Sequence, residues 1–158
     1  MLGVDTSAAL IARGQRTYPA LAGQLRHLPT PDLPIPDHSL DLVLLMAVLT
    51  CIPSNAGQQA LLDRLCAKLR PGGLLYVSDY YLQPDRVATG AYTEWENDPE
   101  NAGVFTLAEG ATLRHHTPEW MAQLTRAFAP VQEVLVPVFT MNGNQSQAFQ
   151  LFARKPIG

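Results

Sequence analysis

Positive charge is scarce in this chain. Of 158 residues only eleven are Lys or Arg, against fourteen Asp or Glu, for a formal net charge of -3. The basic residues are scattered, which excludes the clustered footprint that a nucleic-acid backbone requires. Cysteine is nearly absent: Cys51 and Cys66 make neither a disulfide framework nor a zinc-ligand pattern. No apolar run can cross a bilayer, because the most apolar stretch, Leu40 to Pro53, is short and broken by Asp41. The N-terminus lacks the regions of a secretory signal, so a cytoplasmic location is expected. G-x-S-x-G, H-E-x-x-H and Walker loops are all missing, which leaves hydrolase, zincin and NTPase chemistry unsupported. G-x-G is missing too. What is present is 47% hydrophobic and 16% charged. That is too apolar for a disordered chain and long enough for one domain, 1–158, with a sizeable core.

The pattern along the chain alternates strands and helices. Met1 to Val4 is a brief apolar run ending at Asp5, enough for one short strand. Thr6 or Ser7 caps a helix over Ala8 to Arg16. Leu25 to Leu28 is a weak strand candidate, followed by a loop crowded with Pro29, Pro31, Pro34 and Pro36. Asp41 to Met46 is continuously apolar, as expected for a strand covered on both faces. Gln58 to Leu69 places Leu61, Leu62, Leu65, Cys66 and Leu69 at helical spacing, and Arg70-Pro-Gly-Gly73 should stop that helix. Leu74 to Ser78 is then a second buried strand. Strand, helix, strand in that order implies a parallel pair with a right-handed crossover.

From Asp79 to Gly103 the chain turns polar and aromatic, with Tyr80, Tyr81, Tyr92 and Trp95, a length that suits a lid or binding segment. Val104 to Leu107 and Ala111 to His115 flank Ala-Glu-Gly as a hairpin. Thr117-Pro118-Glu119 is a helix start, with Trp120, Leu124 and Phe128 on one face. Glu133 to Phe139 and Ala148 to Arg154 complete the set, joined through Met141-Asn-Gly-Asn144 as an antiparallel pair. Cys51, just past a strand end with no flanking base, is expected to be a small core residue.

Three pieces in order resemble the class I S-adenosylmethionine-dependent methyltransferases. GVDTS (Gly3 to Ser7) is similar to the acidic end of that family's second strand. LPIPDHSLDLVLLMAVL (Leu33 to Leu49) is similar to its loop into the fourth strand, and ALLDRLCAKLRPGGLLYVSDY (Ala60 to Tyr80) to its helix and fifth strand. The resemblance implies a Rossmann-like, doubly wound, mostly parallel sheet with antiparallel C-terminal strands. Residues 1–79 would form the cofactor side, 80–116 a lid or insertion, and 117–158 the closing helix and strands. It also implies S-adenosylmethionine as cofactor and a small-molecule acceptor. Asp5 and Thr6 would then meet the ribose, although Asp5 equally suits a helix cap. Asp32 and Leu33 would face the adenine, with a solvated loop as the alternative. Met46 and Ala47 would line the sulfonium, against ordinary core packing. Tyr81, Trp95 and His115 would face the acceptor, and His116 would act as base if the acceptor loses a proton. The two histidines are adjacent and face opposite sides of a strand, a poor arrangement for joint metal binding.

One departure is large. The family's first strand and its glycine-rich turn have no counterpart here, as if the chain were N-terminally truncated. An unpaired inner strand edge invites another chain. The run Met1 to Val4 could move into the central position, a second copy could donate a strand, or the missing unit could come from elsewhere. A rearranged sheet or a homo-oligomer, such as a strand-swapped dimer, is the expectation.

Overall fold

The computed structural model describes residues 1–30, 32–92, 99–139, 143 and 145–157. It divides into two compact units, Met1–Ile35 and Pro36–Gly158.

In the first unit β1 (Gly3–Asp5) runs parallel to β2 (Leu25–His27), with Asp5 opposite His27. Between them lies α1 (Ala8–Thr17). Its N-cap is Ser7, not Thr6: the Ser7 hydroxyl accepts from Leu10 N–H at 3.3 Å. Ile11 is the buried residue of this helix. The Gln15 side chain donates to Leu25 O at 3.0 Å and so ties α1 to β2.

The second unit is built on a four-stranded sheet in the order β3-β4-β8-β7. β3 (Leu40–Met46) and β4 (Leu69–Tyr80) are parallel, joined by α2 (Asn55–Lys68), as the strand–helix–strand pattern requires. β8 (Gln145–Arg154) runs antiparallel to both β4 and β7 (Ala129–Phe139). Both closing strands begin earlier than their hydrophobic patterns indicate. Pro130 is accommodated on β7 because that strand is an edge, and the register shifts between Pro130 and Gln132. The expected turn through Met141, Asn142 and Asn144 lies outside the described residues.

One face of this sheet holds the core: Val43, Leu45, Leu75, Val77, Phe149, Leu151 and Ala153 are buried, as are Leu62 and Leu65 of α2. The helix α4 (Pro118–Leu124), capped by the Thr117 hydroxyl, adds Met121 and Leu124. α4 ends at Leu124, so Phe128 is buried from beyond the helix. The opposite face of β3 is not covered: Leu42, Leu44 and Met46 are exposed. A strand covered on both faces was expected, and this is a correction; an apolar run cannot say whether a second layer exists to meet it.

The helix stop also differs. α2 ends at Lys68 because Leu69 turns to an extended conformation (φ -70, ψ 134), and Arg70-Pro-Gly-Gly73 belongs to β4. Gly72, at φ 75, donates to Lys155 O, while the Lys155 ammonium donates to Cys66 O and Leu69 O at the end of α2.

The aromatic segment is partly regular, with α3 (Pro84–Ala88) inside it. The hairpin β5 (Val104–Thr106) and β6 (Thr112–Arg114) forms as expected. Among the described residues no helix is long and apolar enough to cross a membrane.

Gly103 enters β5 at φ 83, and its carbonyl accepts from His115 N–H at 3.0 Å. A β-carbon at Gly103 would run into the His115 carbonyl oxygen. Gly103→Ala is therefore expected to cost about 3 kcal/mol from positive φ and the backbone clash together, read as a lowered urea midpoint at unchanged slope.

Candidate functional site

The carboxyl end of β4 gathers the polar side chains of the second unit. Asp79 is 1% exposed. Its Oδ1 accepts from Tyr80 N–H at 2.9 Å and its Oδ2 from Thr50 N–H at 3.1 Å. The carboxylate thereby ties the turn after β3, Leu49–Cys51, to the tip of β4. His116 Nε2 lies 3.6 Å from Asp79 Oδ1, close enough for ion pairing and too far for a hydrogen bond. Neither ring nitrogen of His116 has a hydrogen-bond partner among the described residues, and the residue is fully buried. Its backbone is fixed between Tyr80 O and Leu82 N–H.

His115 faces a different set of side chains from His116. Its Nδ1 lies 2.6 Å from the Tyr92 hydroxyl, which also accepts from Gln83 N–H at 3.2 Å. With Gln83 donating to it, the Tyr92 oxygen satisfies its own proton by donating to Nδ1. That assigns His115 as a neutral ring with its proton on Nε2, a donor rather than a base. Phe105, Tyr80 and Tyr92 surround the ring at centroid distances of 4.7, 5.4 and 5.8 Å. Burial, then the positive charge of Arg86, pulls its pKa down to about 4. Burial likewise raises the Tyr92 hydroxyl above its ordinary value. Gln83 holds the arrangement: its amide donates to Tyr81 O and Gln147 O and accepts from Ser146 Oγ and Gln147 N–H.

Arg114 is the other buried charge. At 1% exposure its guanidinium donates to Ala102 O, Pro53 O, Asn55 Oδ1 and Glu100 O, and lies over the Trp120 ring. Loss of water around it lowers its pKa from the usual arginine value. Trp120 in turn donates to Gln58 Oε1, and the Gln58 amide donates to Leu49 O and Ile52 O. These bonds fasten both the 99–102 segment and the turn after β3. Nothing in the sequence pattern marked Arg114, Gln58 or Gln83, because a single polar residue in an amphipathic stretch reads as surface.

The remaining candidates are placed as follows. Tyr81 donates to Glu133 Oε1 at 2.7 Å and stacks on Phe149 at 4.3 Å; burial and the glutamate charge raise its pKa. Met46 and Ala47 leave β3 exposed, Ala47 at φ 51 with its N–H on Ser78 O. Cys51 is exposed, a correction to its expected core position: its thiol turns back to Ala47 O at 3.6 Å because the turn carries it past the sheet. Within this unit His116 stands beside Asp79 and bridges Tyr81, whereas His115 faces Tyr92 and Phe105, and Met46 and Ala47 are exposed beyond the end of β3. In the other unit Asp5 Oδ1 accepts from Ser7 N–H at 2.7 Å, and Thr6 O lies 3.1 Å from His27 Nε2. Asp32 is exposed, and Leu33 O accepts from Ile35 N–H. Trp95 lies outside the described residues.

Residues 1–77 match the model of a methyltransferase domain family. The fold is similar to that of a SAM-dependent methyltransferase from Methanosarcina mazei, with a TM-score of 0.83 at 19% identity, covering 99% of this chain and 82% of that one. It is similar, too, to the N-methyltransferase NodS of Bradyrhizobium japonicum (TM-score 0.62, 15% identity, 97% and 71% covered). A third neighbour is the 1,6-didemethyltoxoflavin-N1-methyltransferase of Burkholderia thailandensis (TM-score 0.63, 21% identity, 97% and 60% covered). No curated protein matches the sequence. The matched segment and the fold together support the class I S-adenosylmethionine-dependent methyltransferase family that the sequence resembles.

The neutral His115 has a consequence for stability. An unfolded histidine takes up a proton near pH 6.5, the folded one only near 4. The contribution is therefore complete above pH 6.5 and is lost as the pH falls toward 4, about 3 kcal/mol in all. His115→Phe should remove that part of the acid destabilisation, measured by urea unfolding at pH 7 and pH 4.5; equal pH slopes in both proteins would contradict the assignment.

Proposed function

We propose that this chain is an S-adenosylmethionine-dependent methyltransferase acting on a small-molecule acceptor. The observation that carries the reading is a pair of coincident facts. Residues 1–77 match a methyltransferase domain, and histidine, tyrosine and aspartate side chains cluster at the carboxyl end of β4. Ligands of doubly wound sheets bind beyond that end of the strands. The absence of a basic cluster in the sequence supports a small acceptor over a nucleic acid.

Within each unit the residues this reading assigns to the cofactor are half-buried or exposed rather than sealed in the core. Asp5 keeps a half-buried carboxylate at the carboxyl end of β1, and Met46 and Ala47 are exposed rather than packed in the core. In this reading Asp5 and Thr6 hold the ribose, Asp32 and Leu33 the adenine side, and Met46 and Ala47 the sulfonium. When bound, the cofactor supplies an electrophilic methyl group, and a structural neighbour that holds S-adenosylhomocysteine supports the same cofactor here. The chain's own work is positioning, which supplies much of the rate in such transfers. His115 and Tyr81 face the acceptor in this reading, His115 offering its Nε2–H to an acceptor oxygen or nitrogen. His116 serves as base if the acceptor must lose a proton, and Asp79, 3.6 Å away, then steadies the imidazolium.

Residues 1–158 hold no G-x-G turn, and the second reading is a non-catalytic module on the same fold. Calorimetry of the full chain with S-adenosylhomocysteine separates the two. The enzyme reading expects micromolar binding, weakened about tenfold, near 1.4 kcal/mol, by Asp5→Asn, which retains an acceptor for Ser7 N–H. Absence of heat at millimolar ligand leaves the module.

A further inference from the structure

β4 and β8 separate one rung before Tyr81. Their antiparallel register runs from Leu74 opposite Arg154 to Tyr80 opposite Ala148. Continued by one residue, it would set Tyr81 opposite Gln147. Successive residues of a strand turn their backbone groups to opposite sides. Tyr80 O and Leu82 N–H lie on one side, where both are bonded to the backbone of His116. Tyr81 therefore turns its own carbonyl the other way, toward β8.

The buried Gln83 side chain stands where the bonds between Tyr81 and Gln147 would be. Its amide nitrogen donates to Tyr81 O at 2.6 Å and to Gln147 O at 2.9 Å. Its amide oxygen accepts from Gln147 N–H and from Ser146 Oγ, both at 2.8 Å. Both donors and both lone pairs are thus used, and the flipped amide would set its NH2 against Gln147 N–H. Toward Gln147 the amide exchanges the same pair of bonds that a strand residue would. Toward Tyr81 it adds its own width between two backbones that would otherwise pair directly.

We propose that Gln83 is a positioning residue: its amide is a spacer that holds the tip of β4 off β8 and thereby seats Tyr80 and Leu82 on His116. Without the spacer, Tyr81 gains two direct bonds to Gln147, and its neighbours are drawn away from His116. The His116 side cannot follow. The strand leading into it is fastened two residues earlier by Arg114, which donates to Pro53 O, Asn55 Oδ1 and Ala102 O. Glutamine is the side chain the gap requires. Asparagine is one methylene shorter, and glutamate would set a carboxylate against the carbonyls of Tyr81 and Gln147. The use of Tyr81 and His116 by an acceptor rests on the methyl-transfer reading; the spacing of the strands does not.

Amide hydrogen exchange of the full chain, resolved by residue with NMR and run without cofactor, tests the spacer. Gln83→Leu fills a similar volume and can neither donate nor accept. In that variant Leu82 N–H and His116 N–H should exchange about tenfold faster, while Gln147 N–H, now on Tyr81 O, stays protected. Gln83→Asn is the milder change should the leucine variant fail to fold, and the same two N–H groups should quicken in it. Lost protection at Gln147 with Leu82 and His116 unchanged would make Gln83 a plain cap and overturn the proposal. A uniform loss across the sheet, or no change at any of the three, would overturn it as well. No cofactor enters this measurement, so its result and that of the calorimetry can fail independently.

Discussion

The Asp79 carboxylate accepts backbone N–H groups from two segments, Thr50 after β3 and Tyr80 on β4. With both oxygens occupied, the turn that carries Met46 and Ala47 out of the sheet cannot drift from the strand tip that carries Tyr80 and Tyr81. A buried carboxylate is costly unless it is hydrogen-bonded or paired. Here both conditions are approached at once, since His116 Nε2 lies 3.6 Å away. The remaining site geometry follows from that junction: His116 is set against Asp79, and His115, one residue earlier, faces Tyr92 and Phe105.

The second unit buries its titratable groups in contrasting ways. Arg114 donates through Nε and Nη1, mostly to backbone carbonyls of Pro53, Glu100 and Ala102, and so fastens the aromatic insertion to the rest of the unit. His115 takes the opposite course and is held neutral inside aromatic rings, its Nδ1 satisfied by the Tyr92 proton. A charged clamp and an uncharged donor therefore stand within one hairpin. The first resists movement of the segment, and the second presents a fixed hydrogen-bond donor whose state does not change across neutral pH.

Much of the fold was legible because it depends on short-range patterns. The helix start at Thr117, the crossover through α2 and the β5–β6 hairpin all follow from caps, periodicity and turn residues, whereas the choice of Ser7 over Thr6 at the start of α1 does not. The site was legible only in part. Histidines and tyrosines near a strand end stand out in the sequence, whereas Gln83, Gln58 and Arg114 do not, since what they bind comes largely from carbonyls distant in sequence. Small apolar-like residues usually go to the core, yet the turn after β3 carries Cys51 out.

Sequence alone determined the order of elements, the parallel β3–β4 pair and the resemblance to the methyltransferases, because local spacing and motif order encode these. Tertiary structure decided which face of β3 is covered, which nitrogen of His115 keeps its proton, and which backbone groups Asp79 and Arg114 hold. Those outcomes depend on contacts between residues dozens of positions apart, and no periodicity within a single segment carries that information.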